Sequence, residues 1–270
     1  MGRSMSGLSQ EAHNRLMEHP YPILEFDPAR TALIEPKHGG GSVDMPERVV
    51  VCFFQDVIAE LLREHDARLL FDLRSEMGAH PIYEVALRGT RLAVFHPGVG
   101  APLAAGLLEE VIALGGRKFI ACGGCGVLDS GIALGHILVP HAAVRDEGTS
   151  YHYLPPAREV AASPRAIAAI EAALQSAGTD YLKTKTWTTD ALYRETPDRV
   201  KRRREEGCLA VEMEAAAFFA VAQFRAVEFG QLLYGGDDLG GEVWDGRNWQ
   251  KHGTARAKLF WLAAEACALL

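Results

Sequence analysis

The sequence predicts an α/β fold in which helices pack on a central mixed sheet within a single domain. First, apolar strand-like runs alternate with helical patterns from Arg48 to the C-terminus. Second, the chain has 270 residues, 48% hydrophobic and 23% charged, which suffices for one large α/β domain or two small ones. Third, neither an internal repeat nor a linker divides it. We therefore expect one domain at 48–270, preceded by an arm or leading loop at 1–47.

The first half of this domain contains strands, helices and one hairpin. Apolar runs rich in Val, Ile and Phe indicate buried strands, and longer runs with helical spacing indicate helices. The short Arg88-Gly89 segment between two strand-like runs predicts a hairpin turn. The predicted elements are, in order, a strand at 49–54, a helix at 56–65, strands at 81–87 and 90–95, a helix at 103–114 and a strand at 118–122.

The second half continues the alternation and ends in helix. An alanine-rich amphipathic run from Ser163 to Ala177 predicts a helix, with Pro164 at its favourable first-turn position. The apolar run 229–234 predicts a buried strand that ends in glycines and aspartates. The other predicted elements are strands at 135–140, 142–144 and 183–189 and helices at 197–206, 214–225 and from 252 onward.

Charge and composition exclude several classes of function. The net charge of −7 and a pI of about 5.8 give no basis for a nucleic-acid partner. The basic run 201–204 is followed at once by two glutamates, which is typical of a solvated helix face. Because no apolar run reaches the roughly 18 residues of a membrane span, and residues 1–20 lack a signal-peptide core, we expect a cytoplasmic protein without a membrane partner.

Five cysteines fit a reducing compartment better than a disulfide framework. Cys122 and Cys125 have C-x-x-C spacing, but no second such pair exists to complete a zinc site. Small residues packing a tight turn explain this spacing more simply than redox chemistry. We therefore expect no metal and no cofactor.

The most informative motif is the run from Leu209 to Phe218, in which Glu212 and Glu214 flank Met213 among apolar and small residues. Desolvating an ionised carboxylate is expensive unless hydrogen-bond donors compensate it. The hydroxyl groups of a ligand are one source of such donors. This pattern therefore predicts a binding site at these two carboxylates.

A second acidic pair, Asp237 and Asp238, follows the apolar run and two glycines. Glycine allows a ligand to approach the backbone closely, and a neighbouring carboxylate can raise a pKa enough for a general acid. A solvated aspartate-rich turn would have the same sequence. Together with Glu212 and Glu214, however, the pair favours a catalytic role.

Two glycine-rich segments are predicted as turns at the carboxyl ends of strands. One contains Gly98 and Gly100 and opens a helix, whose first N–H groups could bind an anion. The other contains Gly123 and Gly124. Each alone could be an ordinary turn, but two such turns lie side by side at the ligand crevice of an α/β sheet. We therefore expect them to border the site.

The order of these motifs resembles the nucleoside phosphorylase family, which includes purine nucleoside phosphorylases, uridine phosphorylases and methylthioadenosine nucleosidases. The resemblance runs from about Arg48 to the C-terminus and is strongest at the segment 211–216. It implies a three-layer α/β/α domain. By the match, Glu214 binds the ribose hydroxyls, Met213 packs on the sugar and Glu212 is their neighbour in the pocket.

The resemblance also implies roles around the base. Asp237, preceded by Gly236, stands where purine enzymes and nucleosidases of this family have the aspartate that protonates the departing base. The segment from Thr188 to Tyr193 is similar to the family's base-site segment. It implies base contacts from Thr189, Leu192 and Tyr193.

The phosphate side departs from the family pattern. Ala121 and Gly124 stand where the family has the phosphate-binding arginine and the serine or threonine, and the N-terminal phosphate loop is replaced by the segment 52–56. Arg74 resembles the arginine that the family supplies across a subunit interface. Asp56 is near, but not at, the position of the glutamate that activates water in nucleosidases.

These residues suit cleavage of an N-glycosidic bond, and three functions stay open. Phosphorolysis, with phosphate as co-substrate, is the first expectation, and Arg145 or Arg247 could assist Arg74 in binding it. Hydrolysis is the second, because two phosphate ligands are replaced. A nucleoside-binding protein without catalysis is the third. The resemblance further implies a homo-oligomer, either dimer or hexamer.

Overall fold

The computed structural model describes residues 18–36, 43–248 and 253–270. Within these ranges ten strands and six helices alternate along the chain. The strands are β1 (Arg48–Cys52), β2 (Arg68–Ser75), β3 (Gly78–Leu87), β4 (Thr90–Phe95), β5 (Lys118–Val127), β6 (Ile137–Asp146), β7 (Glu159–Ala161), β8 (Tyr181–Thr189), β9 (Cys208–Glu212) and β10 (Glu228–Asp238). The helices are α1 (Gln55–Glu64), α2 (Ala101–Leu114), α3 (Pro164–Ser176), α4 (Pro197–Glu205), α5 (Ala215–Arg225) and α6 (Gly253–Leu269).

All ten strands form one mixed sheet. Its order is β10-β6-β8-β9-β5-β1-β4-β3-β2, with β7 paired to β6. An additional parallel pairing joins β10 to β5. Strands β5, β10, β6, β8 and β9 therefore close into a five-stranded ring, while β1 to β4 extend from it as an open sheet. The predicted mixed sheet is confirmed.

Helices cover both faces of the sheet. Phe229 of β10 packs on Phe218 of α5, with ring centroids 4.8 Å apart. A side chain on the next residue, Gly230, would instead meet Ala166 and Ile170 of α3. Because successive residues of a strand point to opposite faces, α5 and α3 lie on opposite sides of the sheet. This confirms the three-layer α/β/α arrangement.

The segment Gly123–Gly126, predicted as a turn, is part of β5. Likewise β10 continues through its two glycines to Asp238. Glycine is needed in these strands because neighbouring side chains fill the space of a Cβ. A Cβ on Gly126 would lie 2.4 Å from Leu239 Cδ1, and one on Gly235 would lie 2.9 Å from Val127 Cγ1. The glycines thus permit close packing inside the ring rather than a chain reversal.

Several further elements differ from the sequence prediction. Strands β2, β7 and β9 were not predicted, because β2 is largely exposed and β7 and β9 have only three and five residues. The strands predicted at 135–140 and 142–144 are one strand, β6. The final helix begins at Gly253, and residue 252, where it was expected to begin, lies outside the described ranges. None of the described helices has the length and apolarity that crossing a membrane requires.

Part of the N-terminal segment packs against the domain. Arg30 lies over the ring of Phe224, 4.4 Å from its centroid, and Glu35 pairs with Arg225 at 3.4 Å. Both contacts are at the C-terminal end of α5. The rest of the predicted arm at 1–47 includes residues 1–17 and 37–42, which lie outside the described residues, so its delimitation stays a prediction.

Candidate active site

Glu212 is the last residue of β9 and fixes the start of α5. Its Oε2 accepts hydrogen bonds from the N–H groups of Glu214 (2.7 Å) and Ala215 (2.6 Å). Its Oε1 accepts from the hydroxyls of Thr188 (2.7 Å) and Thr186 (3.3 Å). Burial raises the pKa of Glu212, and these bonds oppose that shift. Each oxygen already accepts two bonds, so Glu212 positions the adjacent turn and has no oxygen left for a ribose, contrary to the sequence expectation.

Glu214 is the buried carboxyl that this turn presents. Its Oε1 accepts a hydrogen bond of 2.6 Å from the N–H of Gly100. Burial, followed by the charge of Glu212, raises its pKa to about 8. No ion pair to Glu214 is formed by any residue that the structure describes. A buried carboxyl without a cation gains most from neutral hydrogen-bond donors, such as hydroxyl groups.

His96 shapes the glycine turn that reaches Glu214. Its Nδ1 accepts from Gly98 N (3.0 Å), so its Nε2 carries the proton that is donated to Phe53 O (3.2 Å). Burial lowers the pKa of His96, which favours this neutral form. Gly98 and Gly100 have φ values of 76° and 95°, in the region that favours glycine. His96 was not among the predicted site residues, although a histidine directly before Pro97 and Gly98 was a signal.

Asp237 and Asp238 have different surroundings. Asp238 is buried: its Oδ2 pairs with Arg247 Nη2 at 2.6 Å and its Oδ1 accepts from Gly240 N at 2.7 Å. Asp237 is half-buried, and its Oδ2 accepts a 2.7 Å bond from Trp244 Nε1. Asp238 therefore anchors the loop after β10. The expectation of two catalytic aspartates is corrected to one candidate, Asp237.

Two acids of the candidate site, Glu212 and Asp237, lie near Cys125. Burial raises the pKa of this thiol, and the charges of Glu212 and Asp237 raise it further, so both carboxylates lie close to it. Asp237 also lies over Gly126, since a Cβ there would be 3.6 Å from Asp237 Oδ1. The buried thiol donates to the carbonyl of Tyr234, and it lies in a strand instead of the predicted tight turn. Glu212 and Asp237 thus lie near the same thiol, and Glu214 is two residues after Glu212.

The predicted base residues follow β8. Thr189 is buried and its hydroxyl accepts from Ala191 N at 3.2 Å. Leu192 and Tyr193 are 48% and 91% exposed on a 3-10 turn, Leu192–Arg194. Thr188, which was not predicted, bonds both Glu212 and the N–H of Ala216 (2.9 Å). Its supporting role could not be read from the sequence, because its partners lie 24 and 28 residues away.

The expected phosphate ligands are not assembled within one chain. Ala121 is buried, and the ring of Tyr234 lies 3.2 Å from the position of a Cβ on Gly124. A Cβ on Gly123 would face Phe53 at 3.1 Å. Arg74 lies on β2, 79% exposed, and pairs with Asp72 at 3.0 Å.

The two arginines suggested as alternatives are engaged elsewhere. Arg145 is buried and donates to Ser150 Oγ and to the carbonyls of Pro155 and Leu154. Arg247 is held by Asp238. The suggestion that either one binds phosphate is therefore corrected.

A cavity of about 440 Å³ opens between α4 and the loop after β10. Trp244, whose indole donates to Asp237, forms part of its wall. Glu195 is another wall residue, and its pKa is raised to about 7 by burial and by the charge of Asp237. This volume is within the range of small-molecule sites. Two wall residues, Glu195 and Trp244, thus relate the cavity to Asp237.

Comparison with known proteins gives a consistent picture. Residues 47–264 match the family model of the phosphorylase superfamily. A guanosine phosphorylase from Halorubrum lacusprofundi is 28% identical over 60% of this chain and 67% of its own length. A uridine phosphorylase from Thermococcus kodakarensis is 32% identical over 46% of each chain. The matched stretches thus span between about half and two thirds of these relatives.

Solved structures show the same fold at low sequence identity. Purine nucleoside phosphorylase from Toxoplasma gondii superposes with a TM-score of 0.74 at 20% identity, covering 88% of this chain and 97% of that one. AMP nucleosidase from Bacteroides thetaiotaomicron gives a TM-score of 0.68 at 23% identity, covering 84% and 89%. These two solved proteins share one fold, although one is named a phosphorylase and the other a nucleosidase.

Proposed function

Because the chain belongs to the phosphorylase superfamily, we propose that it cleaves the N-glycosidic bond of a ribonucleoside with phosphate, releasing free base and ribose 1-phosphate. One observation carries this proposal. Glu214 is a buried carboxyl without a cation in the described structure and is bonded to the Gly100 N–H. It follows β9, Asp237 lies at the end of β10, and both strands pair with the same end of β5. A candidate sugar acceptor and a candidate acid for the base therefore lie on neighbouring segments.

On the sugar side, Glu214 accepts hydrogen bonds from the 2′- and 3′-hydroxyls, and Met213 packs on the sugar. Glu212 holds both residues through the bonds at the start of α5. The fixed carboxylate positions the ribose so that positive charge develops at C1′ in a defined place. Hydrogen bonds to a buried carboxylate are stronger than those in water, because little solvent competes.

On the base side, Asp237 donates its proton to the leaving base. As the C1′–N bond breaks, its electron pair passes to the base nitrogen, and the proton neutralises the charge that develops there. An oxygen of phosphate then forms the new bond to C1′. Trp244, whose indole now bonds Asp237, turns towards the base when the nucleoside enters. Thr189, Leu192 and Tyr193 line the base site.

Phosphate enters beside Gly98, Gly100, Gly123 and Gly124, where the start of α2 offers N–H groups to an anion. Arg74 is exposed on β2 and suits delivery to the site of a second copy of the chain. Phosphorolysis therefore goes with a homo-oligomer, dimer or hexamer, in which Arg74 completes the neighbouring site. It requires neither a metal nor an organic cofactor.

Hydrolysis is the second candidate, favoured by Ala121 and Gly124. These residues offer no cationic or hydroxyl group to a phosphate dianion, and the ring of Tyr234 crowds Gly124. Water is neutral and needs no such ligands. In that case the same Glu214 and Asp237 bind the sugar and protonate the base.

A nucleoside panel with and without phosphate tests the proposal. We expect base release from at least one ribonucleoside to require phosphate and to yield ribose 1-phosphate in equal amount. Release at the same rate without phosphate would replace phosphorolysis by hydrolysis. Binding of nucleosides without any release would instead indicate a binding protein and overturn both enzymatic assignments.

A further inference from the structure

Glu195 is a half-buried carboxyl that no step above uses. It directly follows the exposed turn Leu192–Arg194, and it lines the cavity whose wall also contains Trp244, the residue that donates to Asp237. The charge of Asp237 contributes to the raised pKa of Glu195, so the two carboxyls are near neighbours. Glu195 therefore lines the cavity and lies near the proposed acid Asp237.

The carboxyl oxygens of Glu195 keep their acceptor capacity. No hydrogen bond or ion pair joins its side chain to any residue within 18–36, 43–248 or 253–270. Two other acids of the site, Glu212 and Asp238, are held by donors from the protein on both oxygens. A half-buried carboxyl whose two oxygens accept nothing from the described protein can accept hydrogen bonds from the N–H groups of a ligand.

Trp244 adds a donor to the same wall. Its indole N–H reaches Asp237 Oδ2 at 2.7 Å, and its side chain is 64% exposed, so it can turn towards a ligand without leaving a packed core. The base therefore meets an acid at Asp237, an N–H donor at Trp244 and a free acceptor at Glu195. The order of these three groups along the wall, an acid, an N–H donor and an acceptor, indicates the chemical class of the base.

We propose, on the basis of the function proposed above, that Glu195 determines base specificity by accepting N–H groups from a 6-oxopurine. On the edge of guanine, N7, O6, N1–H and the 2-amino group follow one another. Asp237 then faces N7, the Trp244 indole donates to O6, and Glu195 accepts from N1–H and the 2-amino group. Adenine presents an amino donor to Trp244 and a bare N1 to Glu195, so it does not fit.

The fit ranks the substrates. Guanosine offers Glu195 two adjacent donors and inosine offers one, whereas adenosine leaves the Glu195 carboxylate unpaired. Buried polar groups that a wrong substrate leaves unpaired are the strongest source of discrimination between similar ligands. We therefore expect preference in the order guanosine, inosine, adenosine.

The test compares Glu195→Gln with the unchanged protein on guanosine, inosine and adenosine, measuring kcat/KM and equilibrium binding. Glutamine has one acceptor and one donor group, so it cannot accept from two N–H groups. We expect kcat/KM for guanosine to fall about 10- to 100-fold, mainly through KM, and that for adenosine to change less than about 3-fold. Trp244→Phe keeps an aromatic ring but removes the indole N–H. This variant should also reduce the ratio of kcat/KM for guanosine to kcat/KM for adenosine.

Glu205→Gln is the matched control. Glu205 lines the rim of the same cavity but is exposed. We expect this variant to keep the order of the three nucleosides. A comparable loss of guanosine preference in Glu205→Gln would overturn the assignment to Glu195.

Two other results would overturn the inference. One is an equal loss on all three nucleosides in Glu195→Gln, which would indicate a general effect on the site. The other is that the protein without substitutions shows no preference for guanosine, either in kcat/KM or in equilibrium binding. If no base is released but guanosine binds preferentially, and Glu195→Gln removes that preference, then the proposed enzymatic function fails while the specificity assignment holds.

Discussion

Glu214 Oε1 and Gly100 N are joined by a 2.6 Å hydrogen bond across 114 residues of sequence. The bond links the start of α5 to the start of α2, so the helix ends on this side of the sheet meet at one carboxyl. Its donor is a backbone group in a glycine turn that His96 holds in place. The same carboxyl is central to the proposed function.

Substitution of Glu214 should remove catalysis while leaving the fold intact. In Glu214→Gln the acceptor for Gly100 N remains, but the charge that binds two hydroxyls is lost. We expect kcat/KM for a ribonucleoside to fall about 100-fold or more, since the lost hydrogen bonds involve a charged group. Kinetics with a 2′-deoxynucleoside provide the control, because the variant should lose less on a substrate with one hydroxyl fewer. Unchanged turnover in Glu214→Gln or Glu214→Ala would remove Glu214 from the sugar site.

Thr188 should contribute more to stability than Thr186. Its hydroxyl donates to Glu212 at 2.7 Å and accepts from Ala216 N at 2.9 Å, whereas the Thr186 hydroxyl makes contacts of 3.3 and 3.4 Å. Both side chains are buried in β8. We expect Thr188→Val to lower the free energy of unfolding by about 1–3 kcal/mol, because it leaves buried groups unpaired, and Thr186→Val to lower it less. Urea unfolding measures both; equal losses would contradict the assigned bonds.

Substitutions of the two aspartates at the end of β10 should have different effects, that of Asp237 on activity and that of Asp238 on thermal stability. Asp237→Asn removes the proposed acid and should lower kcat for purine nucleosides more than for pyrimidine nucleosides, by about 100-fold or more. Asp238→Asn breaks the pair with Arg247 and should lower Tm. Steady-state kinetics together with thermal unfolding of both variants distinguish the two roles. A loss of activity without loss of Tm in Asp238→Asn would restore Asp238 as a catalytic candidate.

Stability should depend on pH through Glu214. Burial raises its pKa from 4.5 to about 8 in the folded protein, so between these values the folded state binds more protons than the unfolded state. The contribution of this group is therefore fully present below about pH 4.5 and is lost as pH rises towards 8. We expect Glu214→Gln to flatten the decline of Tm between pH 5 and 8.

Glu195 also titrates near neutrality, so the same scan belongs in the Glu195→Gln background. In the Glu195→Gln variant, the part of the decline of Tm with pH that Glu214 causes should remain. A decline that is unchanged by Glu214→Gln would show that other groups cause it.

The sequence predicted the two candidate acids, Glu214 and Asp237, but not the residues that hold them in position. Glu214 and Asp237 could be found because a charge in apolar or glycine-rich surroundings is unusual at short range. Thr188 and Trp244 could not, since their roles depend on partners brought together by the fold. Glu195 could not be identified either, because only the fold places it at the wall of the cavity.

The fold class and most elements followed from local patterns of apolar residues. The errors have a common cause at Gly123–Gly126 and in β10, where glycine was interpreted as a turn signal. In both strands it instead makes room for a side chain of a neighbouring segment, such as Leu239 over Gly126. Local sequence contains no information about which distant side chain needs that space.

The ring formed by β5, β10, β6, β8 and β9 has a consequence for motion. Each of its strands is hydrogen-bonded on both sides, so none can peel away without breaking two ladders. Amide hydrogens of Thr188 and Val211 should then exchange with solvent only in rare, large openings. The exposed residues Gly241 to Trp244 lie outside the ring, and their amides should exchange quickly. The proposed sugar acceptor thus rests on the most persistent part of the molecule, while the wall proposed to face the base can adapt to each nucleoside.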